Sequence, residues 1–170
     1  NEASLKYFLM GSFSTGILLM GITLIYGACG TFDVMDPKFI GQFQSLEGMG
    51  SLTMVGILLL IMSFAFKVSA APMHLWTADV YDGTPTSFTP FMATIVKVSV
   101  FLAFLKLFHV SFGAVGAAWQ VTITAMIALT LLIGNITAVY QQSVKRMMAY
   151  SSIAQAGFML FAVFALNEIA

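Results

Sequence analysis

Long apolar stretches separated by short polar segments make up most of the chain. A spanning helix needs about 20 apolar residues, and several of the stretches reach that length. The five stretches cover approximately residues 7–27, 49–66, 88–105, 110–140 and 147–166. Backbone groups in hydrocarbon must be satisfied within the element, and the strict alternation of a barrel strand is missing from this sequence. The pattern predicts an all-α fold, a polytopic bundle of about five transmembrane helices.

The second apolar stretch continues too far for one straight helix. Residues 50–82 would extend roughly 50 Å, against a hydrocarbon core of about 30 Å. Pro72 has no N–H to donate to the carbonyl of Val68, so it interrupts a helix. We therefore predict a broken helix here, and such breaks are tolerated where the backbone is buried in protein or lines a wet cavity.

Two further patterns concern the first stretch and the segment after it. The glycines of the first stretch predict close packing against a neighbouring helix. They are Gly11, Gly16, Gly21 and Gly27. The following polar segment indicates a water-exposed loop, in which we expect no chemistry. Its charged residues are Asp33, Asp36, Lys38 and Glu47.

Composition narrows the class of protein. Hydrophobic residues make up 59% and charged residues 8% of the chain, against roughly 25% charged in a soluble domain. Seven Lys and Arg balance seven Asp and Glu, which excludes the basic patch of a nucleic-acid-binding protein. Cys29 is the single cysteine, so an internal disulfide and a cysteine-ligated iron–sulfur cluster are excluded. The isolated histidines predict no metal site, and without a glycine-rich phosphate motif we expect no nucleotide site.

Lys97 is a charged residue deep within an apolar helix. Nine residues after Phe88 place it about 13 Å into the membrane, near the middle of a core of about 30 Å. At that depth a lysine cannot easily extend to the headgroups, and its insertion costs about 3 kcal/mol. A functional role is favoured over a packing accident.

Lys67 lies five positions before Pro72 and has two interpretations. Either its stretch carries it to an interface, where it extends into water, or it lies at the helix break and faces interior water. Burial disfavours the ammonium form, so a buried lysine can both hold and release a proton. Lys67 and Lys97 on adjacent helices, joined by ordered water, could pass a proton in alternation.

Several other polar residues have more than one possible role. His74 is a candidate proton relay or a structural imidazole beside Trp76. Asp79 and Asp82 are solvated, cap the next helix or act directly. A polar face of the last stretch joins helices by hydrogen bonds or lines a hydrated channel. That face consists of Ser151, Ser152 and Gln155.

Basic residues at the ends of the stretches indicate orientation. Lys6, Lys145 and Arg146 fall on one side of the membrane. Counting Lys and Arg predicts that the N-terminal end is cytoplasmic. Lys6 is in addition a candidate relay.

Three segments carry a family resemblance. Residues 67–86 read KVSAAPMHLWTADVYDGTPT, residues 150–158 read YSSIAQAGF, and residues 2–8 read EASLKYF. Together with the Lys97 helix they closely resemble the antiporter-like N subunits of bacterial NADH:quinone oxidoreductase, respiratory complex I, called subunit 2 in mitochondria and chloroplasts. The resemblance covers essentially the whole chain.

The resemblance implies a proton-translocating subunit. Residues 1–170 would form the central part of a fourteen-helix subunit, its sixth to tenth helices, with Lys67 and Lys97 matching the family's proton-channel lysines. Pro72, Trp76, Asp79 and Tyr81 would belong to a structural or coupling segment.

The resemblance also implies the surroundings of the chain. NADH, FMN, iron–sulfur clusters and quinone would be bound by partner subunits, with no cofactor in this chain. Its partners would be the other membrane subunits of complex I, lipid, protons and internal water. The location would be the bacterial cytoplasmic membrane or, alternatively, an organellar inner or thylakoid membrane.

Two departures and two alternatives accompany the resemblance. Ala78 replaces a proline common in the family, and Gln155 stands where many relatives have histidine, which puts a relay through that position in doubt. The chain could instead belong to an Mrp-type cation/proton antiporter or a membrane-bound hydrogenase. It could also be a structural membrane scaffold whose lysines pair with carboxylates of adjoining subunits.

Overall fold

The computed structural model describes residues 2–44 and 49–169, with the side chains of Val110 and residues 166–169 outside the description. The description also leaves out residues 1, 45–48 and 170 of the range 1–170. Glu47 of the predicted loop is among them. The helices are α1 (Glu2–Cys29), α2 (Pro37–Gln42), α3 (Ser51–Val68), α4 (Leu75–Gly83), α5 (Phe88–Phe91), a π-helical turn (Met92–Val96), α6 (Lys97–Val110), a 3-10 turn (Gly113–Val115), α7 (Gly116–Val139) and α8 (Val144–Ile169).

The transmembrane helical bundle is confirmed. Among the described residues, 5 helices are long and apolar enough to cross a membrane. They are Glu2–Cys29, Ser51–Val68, Phe88–His109, Gly113–Val139 and Val144–Ala165. Each coincides with one predicted stretch, because span length and apolar composition are direct properties of the sequence.

Two local predictions need correction. Val110 is the last residue of α6 rather than the start of the next span, since α6 continues through the polar residues Lys106 and His109 that interrupt the apolar pattern after Leu105. The segment after α1 is also not simply exposed. It contains α2, begun by Asp36, whose carboxylate accepts from the Lys38 N–H at 2.8 Å, and it buries Phe39 and Phe43 against Phe112.

The broken helix is present, and its break begins before Pro72. Ser69 has a left-handed conformation (φ 65°), and the Ala70 N–H donates to the Ala65 carbonyl at 2.8 Å. This pattern closes the C-terminus of α3. The Ala71 N–H then donates to Thr130 Oγ1 of α7 at 2.9 Å. The freed backbone group is satisfied by a neighbouring helix, as membrane burial requires.

Small residues set the closest helix contacts. A Cβ added to Gly21 of α1 would lie 3.0 Å from the Gly56 carbonyl oxygen of α3. A Cβ added to Gly134 of α7 would lie 2.9 Å from the Ala154 backbone nitrogen of α8. In the first stretch only Gly21 has the predicted packing role among described neighbours, because an added Cβ at Gly11, Gly16 or Gly27 meets nothing within 4 Å.

Candidate functional site

Lys97 lies inside the bundle with neutral acceptors. Its residue is 4% exposed, and Nζ donates to the backbone oxygen of Ser152 at 2.9 Å and to Ser152 Oγ at 2.8 Å. Ser152 lies eight residues after Val144, about 12 Å into α8, which agrees with the depth predicted from Phe88. No carboxylate of the described residues forms an ion pair with Lys97. The amine is therefore neither at the headgroups nor locked to a permanent negative charge.

The backbone before Lys97 departs from a regular α-helix. The turn Met92–Val96 is π-helical and ends immediately before Lys97. Such turns are rare and often occur at functional sites. The π turn shifts the side chains after it relative to α5, and so helps to set the direction from which Lys97 reaches α8.

Lys67 lies at the helix break rather than at an interface. One turn before it, Ser63 Oγ donates to the Ser14 carbonyl at 3.1 Å, which places Lys67 near the level of Met10 in the antiparallel α1. That level is eight residues from Glu2, roughly 12 Å from the helix end. Lys67 is half-buried and lines a groove with Gly11, Ser12 and Thr15.

The two lysines lie at similar depth on helices that contact each other, α3 and α6. No hydrogen bond joins their side chains in the part of the chain that the structure describes. The arrangement thus brings Lys67 and Lys97 to the same level of the bundle without direct contact.

Buried polar atoms collect around the break. Four of them make no aligned hydrogen bond to any described residue: Ser69 Oγ, His74 Nδ1, Thr77 Oγ1 and the Tyr81 hydroxyl. His74 does not bond to Trp76, whose indole Nε1 instead donates to the Phe66 carbonyl at 3.2 Å. Buried polar atoms are normally satisfied, if not by protein then by ordered water. The cluster is therefore a hydrophilic region inside an apolar bundle.

A network of charged side chains closes one end of the bundle. Asp79 accepts from Lys6 Nζ at 3.0 Å and from Arg146 Nη2, while Arg146 Nε donates to Asp82 Oδ2 at 3.1 Å. Lys6 also contacts Glu2 at 2.9 Å. The candidate relay Lys6 is thus ion-paired, and Asp79 and Asp82 are neither simply solvated nor caps of the next helix. The network ties α1, α4 and α8 together.

A cleft of about 510 Å³ opens between α5, the π turn and α8. It contains all three residues of the predicted polar face, Ser151, Ser152 and Gln155, together with Tyr81 of α4. Tyr81 is 2% exposed and lines the cleft together with Ser152. On this polar face of α8, Ser152 therefore lies beside Lys97 and Tyr81, whereas Ser151 and Gln155 face the cleft.

Some of these contacts were not predicted. Ser152 was identified only as part of a polar face, and Arg146 only as a signal of orientation. Their partners lie 55 and 67 residues away in the sequence, beyond the reach of local pattern. The described residues contain no group of three or more His, Cys, Asp or Glu that could hold a metal ion.

Comparison with known proteins gives consistent matches. The family model described as NADH:quinone oxidoreductase/Mrp antiporter, TM, matches residues 1–170. The chain is similar to NADH-quinone oxidoreductase subunit N of Cytophaga hutchinsonii, with 49% identity over 162 residues, covering 94% of this chain and 34% of that protein. It thus spans about a third of the length of that relative.

Two solved structures share the architecture. A chain of respiratory complex I from Thermus thermophilus with bound aureothin matches with a TM-score of 0.79 and 38% identity, covering 98% of this chain and 34% of that one. A chain of the Mrp complex from Dietzia matches with a TM-score of 0.83 and 24% identity, covering 96% and 29%. The second likeness concerns the fold alone.

Proposed function

The chain belongs to the NADH:quinone oxidoreductase/Mrp antiporter transmembrane family, and on that premise we propose that it translocates protons as the central part, the sixth to tenth helices, of an antiporter-like subunit of NADH:quinone oxidoreductase. The single observation that carries the proposal is Lys97, an amine buried at mid-depth whose hydrogen-bond acceptors among the described residues are both neutral.

The physical reason lies in the solvation of the amine. In a low-dielectric interior the ammonium loses its hydration, so its charged and neutral forms are closer in free energy than in water. A carboxylate partner would stabilise the charged form and hold the proton permanently. The oxygens of Ser152 accept hydrogen bonds without carrying a charge, so Lys97 can release a proton and take one up again.

Lys67 is proposed as the second proton-transfer group. It lies at the same depth, at the break of α3 and α4, where the buried hydroxyls of Ser69 and Thr77, which make no hydrogen bond to a described residue, favour a hydrated interior. Protonation of one lysine disfavours protonation of the other when they are close, so the two would carry charge in alternation. His74 is a candidate relay beside this water. Pro72, Trp76, Asp79 and Tyr81 would shape the broken helix.

Electron transfer is assigned by this proposal to partner subunits, which would bind NADH, FMN, iron–sulfur clusters and quinone. The presence of one cysteine and the missing glycine-rich phosphate motif support the assignment. The other membrane subunits of the complex would be the partners of this chain. The bacterial cytoplasmic membrane is the proposed location, because the similar proteins above come from bacteria.

The alternatives have weaker support. An Mrp-type antiporter shares the fold, but at 24% identity that likeness says nothing of activity. A scaffold whose lysines pair with carboxylates does not account for Lys97, since its partners among the described residues are the oxygens of Ser152.

The test replaces each lysine in the intact complex. Lys97→Met should lower the rate of proton uptake into vesicles at least about tenfold, since a positioned proton-transfer group contributes about 10² to 10⁴. Lys67→Met should act in the same direction. Lys106→Met is the matched control, because Lys106 lies on the same helix but is exposed. Normal proton uptake by an assembled Lys97→Met complex would refute the proposal.

A further inference from the structure

Ser152 is the partner of Lys97 across the interface of α6 and α8. Both of its oxygens accept from Nζ, the backbone oxygen at 2.9 Å and Oγ at 2.8 Å. The two acceptors are not equivalent. Inside α8 the backbone oxygen also accepts a hydrogen bond from the N–H four residues further along the helix, whereas Oγ makes no such intrahelical bond. The hydroxyl is therefore the acceptor that a side-chain substitution can remove.

The same hydroxyl faces a second buried group. Tyr81 lines the same cleft as Ser152, and its own hydroxyl is buried without an aligned hydrogen bond to a described residue. Tyr81 lies on α4, the helix that follows the break. Ser152 thus stands between the amine of Lys97 and the second half of the broken helix.

The position of Ser152 relative to the cleft adds a third observation. Ser152 and Tyr81 line the cleft between α5 and α8, and Lys97 does not. The amine reaches this side of the bundle through Ser152. An amine without Oγ would keep the backbone oxygen of Ser152 as its acceptor but would lose the second bond that fixes its direction.

We propose that Ser152 is a positioning residue for proton transfer, which holds the Lys97 amine beside Tyr81 and stabilises its charged form through Oγ. This inference rests on the proposed function, since it assigns Ser152 a role through Lys97. It adds a residue of α8 to a site otherwise formed by α3, α4 and α6.

The experiment uses the intact complex in vesicles and measures the rate of proton uptake as a function of pH. Ser152→Ala removes a hydrogen-bond partner from both forms of the amine, but the bond lost to the ammonium is the stronger one because it is charge-assisted. The limb of the pH profile that follows Lys97 should therefore move to lower pH by about one unit, equivalent to about tenfold in the protonation equilibrium. Ser152→Thr keeps the hydroxyl and should retain the original profile.

Two further variants make the test specific. Ser151→Ala is the matched control, because Ser151 lines the same cleft and should leave the profile unchanged. Ser152→Cys preserves the size of the side chain but offers only a weak sulfur acceptor, so it should shift the profile in the same direction as Ser152→Ala. Ser152→Cys replaces Ser152→Ala in the test if Ser152→Ala reduces assembly of the complex.

The outcomes separate the two hypotheses. An unchanged profile in Ser152→Ala and Ser152→Cys, with proton uptake impaired by Lys97→Met, overturns the positioning role and leaves the proposed function standing. A lower rate without a shift in pH also overturns it, since that result describes packing alone. Normal proton uptake by Lys97→Met overturns both.

Discussion

At the scale of single residues, the region around the break is unusual because its polar atoms are buried without aligned protein partners. Leaving such an atom unpaired costs about 1–3 kcal/mol, so a purely structural core would favour apolar side chains there. Tyr81 shows this most clearly, since its large side chain is fully packed while its hydroxyl makes no aligned bond to any described residue. Stability alone therefore gives no reason for a hydroxyl at this position.

The variant Tyr81→Phe tests the role of this hydroxyl. Removing the hydroxyl should leave thermal stability within about 0.5 kcal/mol of the original or raise it, because little hydrogen bonding is lost. The rate of proton uptake should fall several-fold, because the buried hydroxyl that lines the cleft with Ser152 is removed. Both quantities can be measured on the purified complex in vesicles. Tyr140→Phe is the control, since Tyr140 is 79% exposed, and a destabilised Tyr81→Phe complex with normal transport would contradict the prediction.

At the scale of helices, close packing depends on a few small residues facing each other. The added Cβ of an alanine at position 134 would lie 2.9 Å from the backbone nitrogen and 3.1 Å from the Cα of Ala154. Backbone atoms cannot move aside as a flexible side chain can. The interface of α7 and α8 must therefore open if Gly134 is enlarged.

Gly134→Ala should accordingly lower the free energy of unfolding by about 1–3 kcal/mol, the usual effect of overpacking. Gly27→Ala provides the control, because its added Cβ meets nothing within 4 Å in the described structure. The thermal midpoint and the yield of assembled complex report the difference. Alanine is the better helix former, so helix propensity cannot lower the stability of either variant, and equal losses in the two would contradict a role for the close contact of Gly134.

Some properties of these helices can be predicted from sequence pattern, and others cannot. The spans were predictable because length and apolar composition are local properties, and the break was predictable because Pro72 lacks a donor. The burial of α2 was not, since Phe39 and Phe43 are covered by Phe112 from a distant part of the chain. The depth of Lys97 could be counted along its helix, whereas its partner Ser152 could be found only after the helices were packed.

At the scale of the whole molecule, the charged network connects α4, the second half of the broken helix, to α1 and α8. Counting charges predicted that Lys6, Lys145 and Arg146 share one end, and the structure shows that Lys6 and Arg146 share one carboxylate, that of Asp79. The side chains are 37–42% exposed, so each pair contributes modestly. Their combined effect is to hold α4 between α1 and α8.

Asp79→Asn tests whether this network is structural or part of proton transfer. The variant removes two ion pairs but leaves Lys6 with Glu2 and Arg146 with Asp82. We expect a loss of about 0.5–2 kcal/mol in stability, since partly exposed pairs contribute about 0.2–1 kcal/mol each, and a smaller loss at high salt, where such charges are screened. Asp33→Asn is the control, because the carboxylate of exposed Asp33 forms no ion pair with a described residue and accepts the backbone N–H of Met35 at 2.9 Å. Normal stability combined with lost proton uptake would instead assign Asp79 a direct role in transfer, since a carboxylate that only clamps α4 cannot affect transport without also affecting the packing it maintains.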